Sequence, residues 1–96
     1  MRSEWHTFVE DERGTVRLEF NRRMVFLHLI LRKPMEGLRA VRALFPDLKG
    51  ILRALGYQKV NVIIPEGDEK LYRFERMMGF AETRRHGGQI LMSQGC

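Results

Sequence analysis

In residues 15–20, TVRLEF, the apolar Val16, Leu18 and Phe20 alternate with Arg17 and Glu19, the period of a half-buried strand. Residues 5–9 predict a first strand before it, closed by the turn Asp11-Glu12-Arg13-Gly14. Asn21-Arg22-Arg23 predicts a second tight turn. Residues 24–31, MVFLHLIL, are apolar on both faces and predict a central strand covered on two sides. The chain therefore opens as an antiparallel meander. The period then changes. Leu38, Val41, Leu44, Phe45, Leu48, Ile51, Leu52 and Leu55 recur at three- and four-residue spacing, with Arg39, Arg42, Lys49 and Arg53 mostly off that face. Pro34 suits a helix start, and Gly56 suits its end. Pro46 is expected to kink or split this helix, with Asp47 capping a second piece.

Residues 57–65, YQKVNVIIP, alternate again through Val60, Val62 and Ile64. A long helix between two strands predicts that 24–31 and 57–64 are parallel neighbours joined by a right-handed crossover. After Pro65-Glu66-Gly67-Asp68 comes a second helix, over 69–78, capped by Asp68 and stopped at Gly79. FAETRR, the turn His86-Gly87-Gly88 and QILMS close the chain as a hairpin. The order is strand-strand-strand-helix-strand-helix-strand-strand, a mixed sheet of the α+β class. Residues 1–96 read as one domain.

Composition narrows the function classes. The single cysteine, Cys96, excludes an intrachain disulfide and fits a reducing, cytoplasmic setting. The longest apolar run is 24–31, whereas a membrane span needs roughly 20 residues, and the N-terminus shows no apolar leader. His6, His28 and His86 fall on separate elements, which gives no support for a metal site. Ser3, Ser93 and Cys96 have no visible base or oxyanion partner, so nucleophilic catalysis is not supported. The net charge of +5 favours acidic partners in general, whether nucleotide cofactor, acidic protein or nucleic acid. The basic residues are scattered and no aromatic stripe interleaves with them, which argues against nucleic acid. Solvated surface charge is the plain alternative.

Three runs carry a resemblance: HLILRKPMEGLRAVRAL, then GYQKVNVIIPEGD, then KLYRFERMMGF. In order and spacing over residues 15–93 they resemble the GNAT superfamily of GCN5-related acyltransferases. His28 before the proline is similar to short, divergent members from phages and mobile elements. The resemblance implies a truncated GNAT-like fold. The strand and two helices that usually open it are absent or reduced to residues 1–9. It also implies acetyl-CoA as cofactor and an amine of a protein or small molecule as acceptor. The two central parallel strands would splay to bond the pantetheine arm. The first helix start would hold the pyrophosphate through its N–H groups and dipole.

Carried onto this chain, the cofactor residues are Arg32, Lys33, Gly37, Leu38, Arg39 and Asp68. Pro34 stands where the family has Arg or Gln, Arg39 replaces its second small residue, and Glu36 adds a negative charge. The family's tyrosine, four residues before Gly-Phe, falls on Glu75, and the nearest phenol is Tyr72. Tyr72 or Glu75, with His28, are the candidates for proton transfer. Each has a structural alternative: Tyr72 as a packed surface residue, and His28 as a core or cleft histidine with one hydrogen bond. Leu71, Phe74, Met77 and Met78 read as core and its edge. Trp5 reads as a cover for the sheet, on the same molecule or a partner copy in a homodimer. The alternative to an enzyme is a non-enzymatic phage or mobile-element accessory protein, using a degenerate GNAT-like fold to bind a host or phage protein.

Overall fold

A computed structural model describes residues 3–96; residues 1 and 2, which begin the stretch read as leaderless, lie outside the described residues. Six strands, β1 (Glu4–Asp11), β2 (Gly14–Asn21), β3 (Met24–Leu31), β4 (Lys59–Pro65), β5 (Ala81–His86) and β6 (Gln89–Gly95), form one sheet in the order β1-β2-β3-β4-β6-β5. Two helices, α1 (Pro34–Ala54) and α2 (Glu69–Met78), connect β3 to β4 and β4 to β5. The meander β1-β2-β3 is antiparallel, β3 and β4 are parallel, and β6 inserts antiparallel between β4 and β5. Element order and the mixed α+β class agree with the sequence pattern.

Both helices lie on the same face of the sheet. That face presents Val16, Leu18, Val25, Leu27, Val60, Val62, Ile64, Ile90 and Met92, all buried. Against them pack Val41, Phe45, Leu48 and Leu52 of α1, Phe74 of α2, and Phe80. The Phe45 and Phe80 rings meet at 5.6 Å. Gln94, which continues the helix-side row of β6, accepts from Lys49 of α1 and donates to the Met78 carbonyl of α2.

Three expectations are corrected. α1 runs unbroken through Pro46, and Asp47 caps nothing. Pro46 is exposed, while Phe45, Leu48 and Leu52 on either side of it are buried. Burying each such side chain contributes about 1.5–3 kcal/mol, more in sum than the roughly 3 kcal/mol a proline costs a helix interior. Second, β3 is covered on one face only. Among the described residues no helix packs on the opposite face, where Trp5 of β1 lies against His28 and Arg17 and where Met24, Ile30 and Ile63 stay exposed. Third, Met77 points outward and is 59% exposed, although Phe74 is core.

Glycines set two close approaches. A Cβ at Gly14 would collide with the Ile30 carbonyl, so β2 can start against β3 only without one. Gly37 is buried where a Cβ would lie 2.8 Å from Leu31 Cδ2 and 3.1 Å from the Arg13 carbonyl. Gly50, inside α1, faces open space. Gly50→Ala is therefore expected to stabilise the fold by about 0.5–1 kcal/mol. Gly14→Ala should destabilise it by about 1–3 kcal/mol. Urea midpoints of the two variants, moving in opposite directions, check both.

Candidate functional site

The sheet is paired unequally. All eight residues of β3 pair with β2, and all seven of β4 pair with β6. Between β3 and β4 there is one register pair, Phe26 with Asn61. Asn61 is buried and secures that point: its Nδ2 donates to the Val25 carbonyl (3.1 Å), and its Oδ1 accepts from Ser93 Oγ (2.6 Å). Beyond it the strands part around a cleft of ≈ 360 Å³. Because strand side chains alternate between faces, the cleft passes through the sheet. Leu27, Leu29, Val62 and Ile64 line it toward the helices, and His28, Ile30 and Ile63 line it toward the open face. A larger hollow of ≈ 700 Å³ lies at the other end of these strands, near Arg23, Met24 and Lys59, and has no buried titratable group on its wall.

Glu75 closes the helix side of the cleft. It is 1% exposed, and its Oε2 is buried with no hydrogen-bond partner. Loss of solvation disfavours the carboxylate and pushes its pKa up to about 7. Its position is set at both ends of α2. Asp68 Oδ1 accepts from Leu71 N (3.2 Å) at the start, and the Glu75 carbonyl accepts from Phe80 N (2.9 Å) at the end. The second bond needs the left-handed Gly79, at φ 107°.

On the open face, His28 Nε2 lies 2.9 Å from Glu19 Oε1. Hydrogen bonds from Ser3 and then His28 hold the Glu19 carboxyl below its ordinary pKa. The Trp5 ring sits 4.6 Å from His28, and the Arg17 guanidinium lies over Trp5 at 4.9 Å. Trp5 thus covers β2 and β3 of its own chain while remaining 45% exposed.

The other sequence candidates are placed differently. Tyr72 is directed away from the cleft: its hydroxyl donates to Glu82 Oε1 (3.1 Å), beside Arg85. The fold therefore joins His28 and Glu75 at one cleft and leaves Tyr72 outside it. Arg32 is engaged by the β1–β2 turn, donating to the Asp11 carbonyl (2.6 Å) and Thr15 Oγ1 (3.0 Å). The main-chain N–H groups of Arg32 and Lys33 both reach the Arg13 carbonyl at 3.0 Å. Gly37 N donates to Lys33 O (2.7 Å), so its missing side chain serves packing on the turn and its amide serves the helix. At this helix start Pro34 has no N–H. Met35 and Glu36 keep N–H groups with no intrahelical acceptor, and the side chains of Lys33 and Arg39 are exposed beside them. Leu38 packs against the core, and Asp68 caps α2.

Arg17, Glu19, Trp5 and Asn61 were not among the sequence candidates. Arg17 and Glu19 read as the solvent side of an alternating strand. Asn61 did carry a signal: a lone polar residue inside the apolar run KVNVIIP.

The fold has counterparts among solved structures. An acetyltransferase from Thermus thermophilus superposes with a TM-score of 0.78 over 96% of this chain and 64% of its own, at 14% identity. This is the GNAT fold. The PaiA N-acetyltransferase from Thermoplasma acidophilum, in complex with coenzyme A, matches at 0.74 over 86% and 53%, at 15% identity. The GNAT domain of S. lividans PAT matches at 0.71 over 86% and 53%, at 13% identity. The chain thus spans between about half and two thirds of the GNAT structures it matches. No family profile and no curated protein matches the sequence. Among the described residues no helix is long and apolar enough to cross a membrane.

The Glu75 carboxyl generates a prediction. Its folded pKa, about 7, lies above the ordinary 4.5, so the folded state holds this proton more tightly than the unfolded chain. The linked stability is complete below pH 4.5 and is lost as pH rises to about 7. The loss is at most about 3 kcal/mol. Glu75→Gln should remove this slope and unfold later than the parent at pH 8. Urea titrations from pH 4 to 8 give the comparison; an unchanged slope in the variant would place the raised pKa elsewhere.

Proposed function

We propose that the chain is an acyl-CoA-dependent N-acyltransferase, transferring an acetyl group to an amine. The observation that carries this reading is the cleft through the sheet, with an orphaned, half-ionised carboxyl at one side and a carboxylate-held imidazole at the other. Acyl-CoA, when bound, supplies the thioester whose C–S bond breaks as the amine forms its C–N bond. The edges of β3 beyond Phe26 and of β4 beyond Asn61 face each other without pairing, so their main-chain groups suit an arm rich in amides. The diphosphate end has fewer donors: the N–H groups of Met35 and Glu36, with Lys33 and Arg39 beside them.

Glu75 and His28 divide the proton work. Near neutral pH Glu75 is partly protonated, and with a thioester bound in the cleft it would supply the proton that the leaving sulfur needs. When His28 Nε2–H donates to Glu19, Nδ1 keeps a lone pair and takes the proton of the attacking amine. The fold shared with N-acetyltransferases, one of them solved in complex with coenzyme A, supports the reading, and Glu75 stands at the position to which the GNAT resemblance assigns proton transfer.

One observation favours a second reading. The Arg13 carbonyl takes the N–H groups of Arg32 and Lys33, and the open face exposes Trp5, Met24, Ile30 and Ile63. A non-enzymatic accessory protein of phage or mobile-element type would use that face to bind a protein.

Calorimetric titration with CoA and acetyl-CoA separates the two; no heat at millimolar ligand rejects the enzyme. For an active enzyme, Glu75→Gln is expected to lower kcat by roughly 10²–10⁴ while leaving the CoA Kd within about threefold. It should also abolish the kcat pH limb near 7.

A further inference from the structure

We propose that the acceptor is an amine carrying its own carboxylate, an amino acid with an apolar side chain, bound by Arg17 and His28 at the open-face mouth of the cleft. This deepens the acyl-transfer reading and rests on it for the amine's fate, though not for its binding. Arg17 stands opposite His28 in the β2–β3 register, and both line the cleft. The Arg17 guanidinium carbon lies over the Trp5 ring, 4.9 Å from its centroid. Among the described residues no side-chain acceptor takes a hydrogen bond from Arg17, which leaves its N–H donors for a bidentate carboxylate. No carboxylate of the described residues lies within ion-pair distance of Arg17. Glu19, the acid that shares its strand face, is engaged by His28.

The mouth therefore holds an uncompensated cation on one side and an imidazole–carboxylate pair on the other. The Trp5 ring meets both head groups, the His28 ring at 4.6 Å and the Arg17 guanidinium at 4.9 Å, and so keeps them at one mouth. That placement suits one small molecule bearing both an amine and a carboxylate, with the carboxylate on Arg17 and the amine on His28. A polycationic acceptor would instead place like charge against Arg17. Ile30 and Ile63, 48% and 46% exposed, flank the same mouth and supply an apolar wall for the side chain.

Trp5 is the only tryptophan and touches both Arg17 and His28, so its emission reports occupancy of this mouth. Titration of the full chain, with CoA present, by L-leucine, L-leucinamide and spermidine tests the assignment. Leucine is expected to bind at least tenfold more tightly than leucinamide, with spermidine weaker still. Arg17→Met should collapse the leucine preference toward one, and Arg17→Lys should restore part of it. In an acetyl-CoA assay, the leucinamide-to-leucine KM ratio should fall in parallel. Equal binding of leucine and leucinamide, or a preference that survives in a folded Arg17→Met protein, overturns the proposal. Tighter binding of O-phosphoethanolamine than of leucine would also overturn it, by reassigning Arg17 to phosphate. Emission and turnover separate the two ideas. Leucine discrimination without CoA release from any amine keeps the Arg17 site and rejects acyl transfer. CoA release without discrimination does the reverse.

Discussion

One register pair governs this molecule. β3 and β4 are neighbours in the sheet yet share only the bridge at Phe26 and Asn61, where the buried Asn61 amide ties β3 to β4 and, through Ser93, to β6. A buried amide must satisfy both its donor and its acceptor, and here each is used to hold a strand. The pairing on the outer sides is complete, so the sheet is interrupted between these two strands alone. The cleft lies on one side of that bridge, and Asn61 itself lines the hollow on the other side. The candidate site is arranged along the two walls of the cleft.

The walls differ in dielectric and therefore in chemistry. On the helix side, α2 delivers Glu75 into an apolar environment that leaves its Oε2 without a hydrogen bond, and the carboxyl answers by holding its proton to about pH 7. On the open side, solvent and neighbours support charge. Glu19 is stabilised as a carboxylate by Ser3 and His28, and Arg17 remains a cation over the Trp5 ring. Two carboxyl groups on opposite faces of the sheet are thus shifted in opposite directions, Glu75 up by burial and Glu19 down by its hydrogen bonds. The exposed apolar residues of the open face belong to the same picture, since both helices are spent covering the other side.

Much of the fold was legible in the sequence. Period-two runs marked β2 and β4, period-3.6 runs marked α1 and α2, and Gly56 and Gly79 marked the helix ends. Long separation between the inner strands made them parallel. Pro46 misled because its helix cost is local, while the burial of Phe45, Leu48 and Leu52 that outweighs it is tertiary. MVFLHLIL misled because apolar content does not reveal which face has a neighbour. Of the candidate site, Glu75 and His28 were visible, as was Asp68 as a cap. Tyr72 was drawn away by Glu82, a residue ten positions on that meets it only when β5 folds back beside α2.

The sequence by itself determined the element order, the two ends of α2 and the apolar faces of β2 and β4, because these follow from spacing and from single-residue backbone preferences. The tertiary structure decided that β3 and β4 part, that Glu75 is buried with one oxygen unpartnered, and that Trp5, Arg17, Glu19 and His28 form one cluster. Each of these depends on how groups remote in sequence compete for hydrogen bonds, charge partners and water, and that competition is settled only when the strands have taken their places side by side.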